Sequence, residues 1–416
     1  KNLEKVKTHT LHFGRIEVEK KIIDEVLVSI FRSPKSYTGE NIVEISCHGS
    51  LYIIKKIIEI YQKLGVRYAA PGEFTKRAFM NGKLDLAQAE AVADLISSET
   101  AVAHQTAIQQ IRGGFSEKIK ILREKLIHFA SMIELELDFS EEDVEFADRE
   151  QLKALIKEIN IIVVELISSF SLGNAIKNGI PTVIVGKPNA GKSTLLNSLL
   201  NEEKAIVSDI PGTTRDLIED EVIIEGLSFR FTDTAGLRKA KDKIEALGVE
   251  RTYEKMKKAA LIIYLFDISV TPIVELLEEV KSLELRNIPY IALANKVDLL
   301  ENHKIPEEFL SIKNLIGISA QNGDNLASLK TKILEIVSLK SFNSGDTVIT
   351  NARHYESLSK TLKSLNDVLS AIDADVSGDF LALDIRQALY YLGEITGEIT
   401  TDDLLANIFS KFCIGK

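Results

Sequence analysis

The chain has 416 residues, 45% of them apolar and 27% charged, a globular composition too long for a single core. Its net charge of −10 excludes a generic polyanion binder, so contact with nucleic acid requires a local basic patch or a basic partner. Two cysteines, Cys47 and Cys413, exclude a disulfide framework and point to a reducing, cytoplasmic compartment. No signal peptide is visible and no apolar run reads as a membrane span, so no membrane insertion is expected. The first residue is Lys1 rather than Met, and the natural start is expected upstream.

Residues 1–83 mix strands with a helix. Glu25–Phe31 and Asn41–Cys47 read as strands, Leu51–Leu64 has helical spacing with Gly65 as its C-cap, and Ala70–Phe74 reads as a turn or loop. Residues 84–179 turn helical. Leu84–Ile96 is rich in helix formers, Ile108–Leu137 keeps the helical period with a kink expected at Gly113-Gly114, Ser140–Glu150 is an acidic connector, and Gln151–Phe170 is a further helix. Gly179-Ile180-Pro181 marks a boundary. Residues 180–340 alternate strand and helix, the pattern of a mostly parallel sheet covered on both faces. The strands expected there are Thr182–Val185, Glu221–Ile224, Phe229–Thr232, Leu261–Asp267, Tyr290–Ala294 and Leu315–Ser319. Ser341–Asp346 is a polar linker, and the remainder of 341–416 is helical again. Two helical blocks flanking one α/β unit suggest that the blocks pack together and that the α/β unit is an insertion whose ends lie close in space.

Chemistry concentrates in the α/β stretch. Thr182–Val185 leads into Gly186-Lys187-Pro188-Asn189-Ala190-Gly191-Lys192-Ser193 and then into the helix start Thr194-Leu195-Leu196. Strand, G-x-x-x-x-G-K-S and helix in this order form a phosphate-binding loop. Backbone N–H groups from Asn189 to Thr194 point at phosphate oxygens, helped by the helix N-terminus. Lys192 brings charge to the β/γ-phosphates, and the Ser193 hydroxyl is placed for Mg²⁺. Asp233-Thr234-Ala235-Gly236 follows the next expected strand end, with Asp233 able to hold Mg²⁺ through water and the Gly236 N–H able to sense a γ-phosphate. Asn295-Lys296-Val297-Asp298 supplies a carboxylate, Asp298, that accepts from guanine N1–H and N2–H, a donor pair adenine lacks. Ser319-Ala320 offers an N–H to guanine O6. Four motifs in order, each at a strand end, identify a GTPase.

Pro211-Gly212-Thr213-Thr214-Arg215-Asp216 reads as a switch segment in which Thr214 completes the Mg²⁺ shell. Leu237 stands where Ras-like enzymes carry the glutamine that orients the attacking water, so another group must do so. A carboxylate from the charged segment holding Asp242, Glu245 and Glu250 is suited to that task. Asn189 adds an amide oxygen able to coordinate a monovalent cation beside the phosphates, a charge that replaces an arginine finger.

The loop with Asn189, Pro211–Asp216 and Asp233–Leu237 resembles the TrmE-Era-EngA group of GTPases. The flanks narrow this. Ser36-Tyr37-Thr38-Gly39-Glu40-Asn41, Cys47-His48-Gly49, Ala70–Phe79, Lys83–Glu90 and the C-terminal Phe412-Cys413-Ile414-Gly415-Lys416 resemble the MnmE (TrmE) family of tRNA modification GTPases over nearly the whole chain. The resemblance implies an N-terminal α/β domain that binds folate and dimerises, a discontinuous helical domain, and an inserted Ras-like P-loop GTPase domain. It implies a homodimer that joins the flavoprotein MnmG in a heterotetramer and acts on tRNA. The reaction adds an aminomethyl or carboxymethylaminomethyl group at C5 of the wobble uridine, with a one-carbon unit from 5-formyl- or methylene-tetrahydrofolate. Carried over by motif, Asn189, Ser208, Ile210 and Thr213 match K⁺ ligands, Ser208 and Thr213 also lying at the GTP. Ser193 and Thr214 match Mg²⁺ ligands. Glu245, twelve residues after Asp233, matches the catalytic glutamate. Glu44, Lys83 and Lys416 match folate contacts, and the family's N-terminal arginine falls before Lys1, leaving that site incomplete here. Cys413 admits two readings, a small buried hydrophobe or a thiol beside the folate, whereas Cys47 in its strand reads as packing. The rival reading is an RNA-binding ribosome-assembly switch of the Era/Der type. That calls for a basic RNA module after the GTPase unit, where this chain instead has helices with acidic stretches such as Asp373-Ala374-Asp375.

Overall fold

The computed structural model describes residues 3–138, 148–202, 220–231, 256, 259–285, 288–337, 347–374, 376, 378–410, 412 and 415. The chain divides into two compact units, one of Lys1–Ser97, Thr106–Ser168 and Ala352–Lys416, the other of Ser98–Gln105 and Ser169–Asn351.

The first unit opens with an antiparallel sheet in the order β1 (Thr10–Val18), β2 (Lys21–Phe31), β3 (Ile42–Ser46). Val26 and Ile30 of β2 are buried, and α1 (Leu51–Lys63) packs against that strand. Strand β1 escapes the sequence reading because its apolar residues change face. Leu11 and Phe13 share one side, Ile16 and Val18 the other, and the register shifts between Ile16 and Glu17. The expected loop Ala70–Phe74 is shorter than anticipated, since α2 (Glu73–Met80) begins within it. Gly72, at φ +66, is its N-cap. A Cβ there would lie 2.8 Å from the Phe409 carbonyl and 3.0 Å from Phe412, so this glycine is where the C-terminal segment crosses the chain.

Helix α3 (Leu86–Ile96) starts with a reciprocal cap: Gln88 N–H donates to Asp85 Oδ1 at 2.8 Å, and Asp85 N–H to Gln88 Oε1 at 2.9 Å. The expected kink is a full break, with α4 (Ala101–Ile111) and α5 (Gly114–Asp138) separated at Gly113, φ +88. Helix α6 runs Arg149–Asn178. It corrects the expectation that no run reaches a membrane span, because by length and hydropathy this helix qualifies. Leu152, Ile156, Ile159, Val163 and Leu166 form a stripe on it that is at most 3% exposed, which is the pattern of a core helix.

The C-terminal helices are α10 (Ala352–Asp373), α11 (Gly378–Thr396) and α12 (Asp402–Ser410), following α7–α9 of the second unit. Helix α11 packs on α10 and on α5, so the two helical blocks do share one core. A buried charge cluster ties them. Glu90 of α3 accepts from Arg353 Nε at 3.0 Å and Nη2 at 2.7 Å, and from His354 Nε2 at 2.8 Å. The Arg353 fork also donates to the Glu394 and Ile395 carbonyls of α11, and Phe115 of α5 lies 5.1 Å from the His354 ring. Burial alone would raise the Glu90 carboxyl, but His354 and the Arg353 guanidinium overcome it and hold it at about 2. Burial pushes His354 down, so at neutral pH it is the uncharged Nε2–H donor.

Among the described residues, the second unit carries a six-stranded sheet in the order β5-β6-β4-β7-β8-β9. Its strands are β4 (Ile180–Val185), β5 (Asp220–Ile224), β6 (Leu227–Phe231), β7 (Leu261–Asp267), β8 (Tyr290–Asn295) and β9 (Leu315–Gly317). All neighbours run parallel except β5 on β6. Helix α7 (Lys192–Glu202) with α9 (Leu326–Ile336) covers one face, and α8 (Ile273–Glu284) covers the other. The central strands read as continuous apolar runs because both faces are covered. Strand β9 stops short of the expected Ser319, which instead bridges to Asp324. The ends of the insertion do meet. The Ile349 N–H donates to Ser169 Oγ at 3.1 Å, and a Cβ on Gly173 would fall on the Ile349 carbonyl.

Replacing Glu90 with Ala takes the carboxylate away from the Arg353 guanidinium and should cost about 3–5 kcal/mol, read as a fall in the urea midpoint of the transition that unfolds the helices. Glu90 titrates lower in the folded state than its ordinary 4.5, so its contribution is full above that pH and fades as pH drops toward about 2. Glu90→Ala should flatten that part of the acid-unfolding curve.

Candidate nucleotide-binding site

The phosphate loop joins β4 to α7 at the carboxyl edge of the sheet, and its two glycines are dictated by close approach. Gly186, at φ +147, crosses beneath β7, where a Cβ would fall on the Leu265 carbonyl. Gly191, at φ +102, leaves no room for a Cβ beside Asn295 Nδ2. Asn189 sits between them at φ +63, a left-handed position that asparagine tolerates, with its side chain exposed. Ser193 and Thr194 open α7 with their side chains exposed. Lys192 Nζ donates to the Gly186 carbonyl at 2.6 Å and the Lys187 carbonyl at 2.7 Å, and burial pushes its ammonium down. A desolvated ammonium held on two carbonyls at the mouth of the loop gains strongly from an anion.

Asn295 is the hub of the site. It is 3% exposed at the end of β8. Its Nδ2 donates to the Ala190 carbonyl at 2.8 Å, and its Oδ1 accepts from Ala320 N–H at 3.0 Å. One amide therefore bolts the phosphate loop to the Ser319-Ala320 turn. A second tie comes from α7, where Ser198 Oγ donates to the Ala320 carbonyl at 2.6 Å. The turn is braced by its own bonds, with Gly323 N–H on the Ser319 carbonyl at 2.9 Å and Asn322 N–H on Ser319 Oγ at 3.3 Å. Lys296 adopts φ +66, and Asp298 follows in a single 3-10 turn with its side chain partly exposed.

The structure thus brings together Asn189, Ala190, Gly191, Lys192, Ser193, Thr194, Asn295, Lys296, Asp298, Ser319 and Ala320. Ser208, Ile210, Thr213, Thr214, Asp233, Thr234, Ala235, Gly236, Leu237 and Glu245 lie outside the described residues, as do Cys413 and Lys416. For Mg²⁺ and K⁺, the donors described are the exposed Ser193 hydroxyl and Asn189 amide. Both are hard oxygen donors at the phosphate end of the site and fit those ions. Sequence reasoning missed the contacts that hold the site rather than touch a ligand, Ser198 to Ala320 and an Asp267–Lys296 ion pair of 2.6 Å. The available signal for Asp267 was a carboxylate at the carboxyl end of a central parallel strand.

In the first unit, Glu44 is exposed in β3, and the stem of Lys83 lies against Gly39. No ion pair joins Glu44 to Lys83 among the described residues. A separate cleft of about 460 Å³ is lined by Ile42, Val43, Phe74, Arg67, Glu73 and Arg77 among others. Arg67, the Ala70 N–H and Arg77 together hold the Glu73 carboxyl far below the usual carboxylate range.

Two family models match the chain, "GTP-binding protein TrmE N-terminus" over residues 1–83 and "MnmE helical domain" over residues 86–413. The tRNA modification GTPase MnmE of Cytophaga hutchinsonii is 60% identical over 416 residues, covering 100% of this chain and 90% of that protein. The protein of the same name from Christiangramia forsetii is 52% identical over 433 residues, covering 100% and 91%. That of Bacteroides thetaiotaomicron is 49% identical over 429 residues, also covering 100% and 91%. Among solved structures, Aquifex aeolicus Era bound to GDP·AlF4⁻ aligns at 28% identity and TM-score 0.30, over 44% of this chain and 66% of that one.

Removing the hub amide orphans the Ala190 carbonyl and the Ala320 N–H at once, each a loss of about 1–3 kcal/mol. Asn295→Ala should therefore weaken guanine-nucleotide binding by at least about tenfold in a fluorescent-GDP titration.

Proposed function

The chain belongs to the MnmE family of tRNA modification GTPases, and on that footing we propose that its GTP hydrolysis is potassium-dependent and drives modification of the wobble uridine of tRNA. The product carries an aminomethyl or carboxymethylaminomethyl group at C5. The observation that carries the GTPase reading is the single Asn295 amide shared by the phosphate loop and the Ser319-Ala320 turn. That bond sets a base-recognition edge at a fixed span from a phosphate cradle, as a guanine nucleotide requires.

Lys192 exchanges its two loop carbonyls for the β/γ-phosphate oxygens, and the α7 N-terminus adds its partial charge. Asp298 accepts the guanine N1–H and N2–H pair, while the Ala320 N–H expected to meet O6 is already donated to Asn295 Oδ1 at 3.0 Å and braces the turn instead. Ser193 and Thr214 would hold Mg²⁺, and Asn189, Ser208, Ile210 and Thr213 would hold K⁺. When bound, K⁺ would supply the positive charge that an arginine finger provides elsewhere at about 10³–10⁵ in rate. Leu237 has no group to orient water, and Glu245 takes that task, polarising the water for in-line attack.

The domain layout we propose is 1–83 for folate binding and dimerisation, 84–179 and 341–416 for the helical body, and 180–340 for the GTPase. In the homodimer, Glu44, Lys83 and Lys416 contact a 5-formyl- or methylene-tetrahydrofolate that donates the one-carbon unit. The flavoprotein MnmG completes a cytoplasmic heterotetramer. Family membership and the quoted motifs support these assignments.

Replacing K⁺ with Na⁺ should cut turnover sharply at constant ionic strength; equal rates would overturn the cation's role. Glu245→Ala should abolish hydrolysis while GTP affinity stays, whereas a loss of binding would assign Glu245 a structural part. Mass analysis of wobble uridines in cells lacking the gene should show the C5 group missing and restored on complementation. Unchanged uridines would refute the modification reading.

A further inference from the structure

We propose that Asp267 is a positioning residue for the nucleotide base, acting by clamping the Lys296 side chain in the guanine pocket; this rests on the reading of residues 295–298 as the base site. Asp267 ends β7 and lies directly across the parallel ladder from Asn295 at the end of β8. Its side chain is only 14% exposed, and both carboxylate oxygens are engaged. Oδ2 accepts from Lys296 Nζ at 2.6 Å. Oδ1 accepts from Ser269 Oγ at 2.6 Å and from Ser269 N–H at 3.0 Å. The backbone around it is equally fixed, with Thr271 N–H on the Asp267 carbonyl at 3.1 Å and Ile268 N–H on the Asn295 carbonyl at 3.2 Å. Burial would raise the Asp267 carboxyl, but Lys296 and Ser269 outweigh it and hold it below its ordinary value, so the carboxylate stays charged at neutral pH.

A free lysine samples many rotamers, and ordering it on binding costs affinity. Here the ammonium is tied down beforehand. The four-carbon stem then spans the short gap from the left-handed Lys296 backbone to β7, beside the Asn295 and Asp298 positions. It forms a ready-made apolar wall against which a purine can lie, with the charge kept at the far end. Ser269 matters because it stops the carboxylate from following the ammonium toward solvent. The clamp acts on the base and not on the phosphates, so it should slow nucleotide release without touching the hydrolytic step.

The test uses the full-length chain with fluorescent GDP and GTP. Asp267→Ala should weaken both nucleotides about tenfold, mainly through faster release, and raise KM for GTP about as much while kcat at saturation changes less than about twofold. Asp267→Asn, which keeps shape and loses charge, should fall between, and Ser269→Ala should give a smaller loss in the same direction. Lys296→Met keeps the stem and removes the ammonium; Asp267→Ala added to it should cause no further loss. An unchanged GDP affinity in Asp267→Ala, or a loss that adds fully to that of Lys296→Met, overturns the clamp. If Asp267→Ala fails to fold, the Asp267→Asn and Ser269→Ala release rates decide alone, unchanged rates overturning it. A wild-type chain that binds ADP as well as GDP refutes the base site itself and the clamp with it. Strong GDP preference with unaltered variants refutes the clamp alone.

Discussion

The charge cluster of Glu90, Arg353 and His354 is the constraint on which the helical part of the molecule turns. A carboxylate with a residue exposure of 8% is tolerable only if it is fully paired. Its partners come from the far side of the insertion in sequence, and Arg353 reaches on to two carbonyls of α11. Helices α3, α5, α10 and α11 are therefore held in one arrangement. Apolar packing alone would permit several, because leucine and isoleucine stripes slide more readily than a two-pronged ion pair. The side chains that choose that arrangement are polar, and the energy that holds it comes from the stripes around them.

The nucleotide unit is organised on a similar economy at smaller scale. Gly186 and Gly191 exist to let the loop pass against β7 and β8, and the space they vacate is filled by the Leu265 carbonyl and the Asn295 amide. That amide holds two segments over a hundred positions apart, the phosphate loop at Ala190 and the turn at Ala320, in a fixed span. Rigid placement of this kind lowers the ordering cost of binding, which is what a nucleotide site needs more than additional contacts.

Much of this was legible in the sequence, and the boundary of legibility has a physical cause. Fully buried parallel strands print themselves as apolar runs, so Leu261–Asp267 was read to its observed ends. Strand β1 is not legible, because its apolar residues lie on both faces, Leu11 and Phe13 on one and Ile16 and Val18 on the other, so no one-sided apolar alternation marks it. Helix α6 has the hydropathy of a membrane span yet serves as a core element, a distinction that only its packing partners reveal. The motif residues proposed to touch a ligand stand out in the sequence because ligand chemistry fixes their types and spacing. Ser198 and Arg353 do not, since they act on other protein groups distant in sequence, and Asp267 offers only its place at the carboxyl end of a central strand.

The order of synthesis gives the charge cluster a further consequence. Glu90 and Arg353 are separated by 263 positions, so at ordinary translation speeds the carboxylate leaves the ribosome roughly ten to fifty seconds before its guanidinium exists. During that interval Glu90 must remain hydrated, and the helical core around it cannot close. The second unit, by contrast, draws nearly all of its chain from one continuous stretch, Ser169–Asn351, and is complete before Ala352 is made. The nascent protein therefore holds a finished nucleotide unit while its helical body is still open. The last helices to be translated are the ones that shut it.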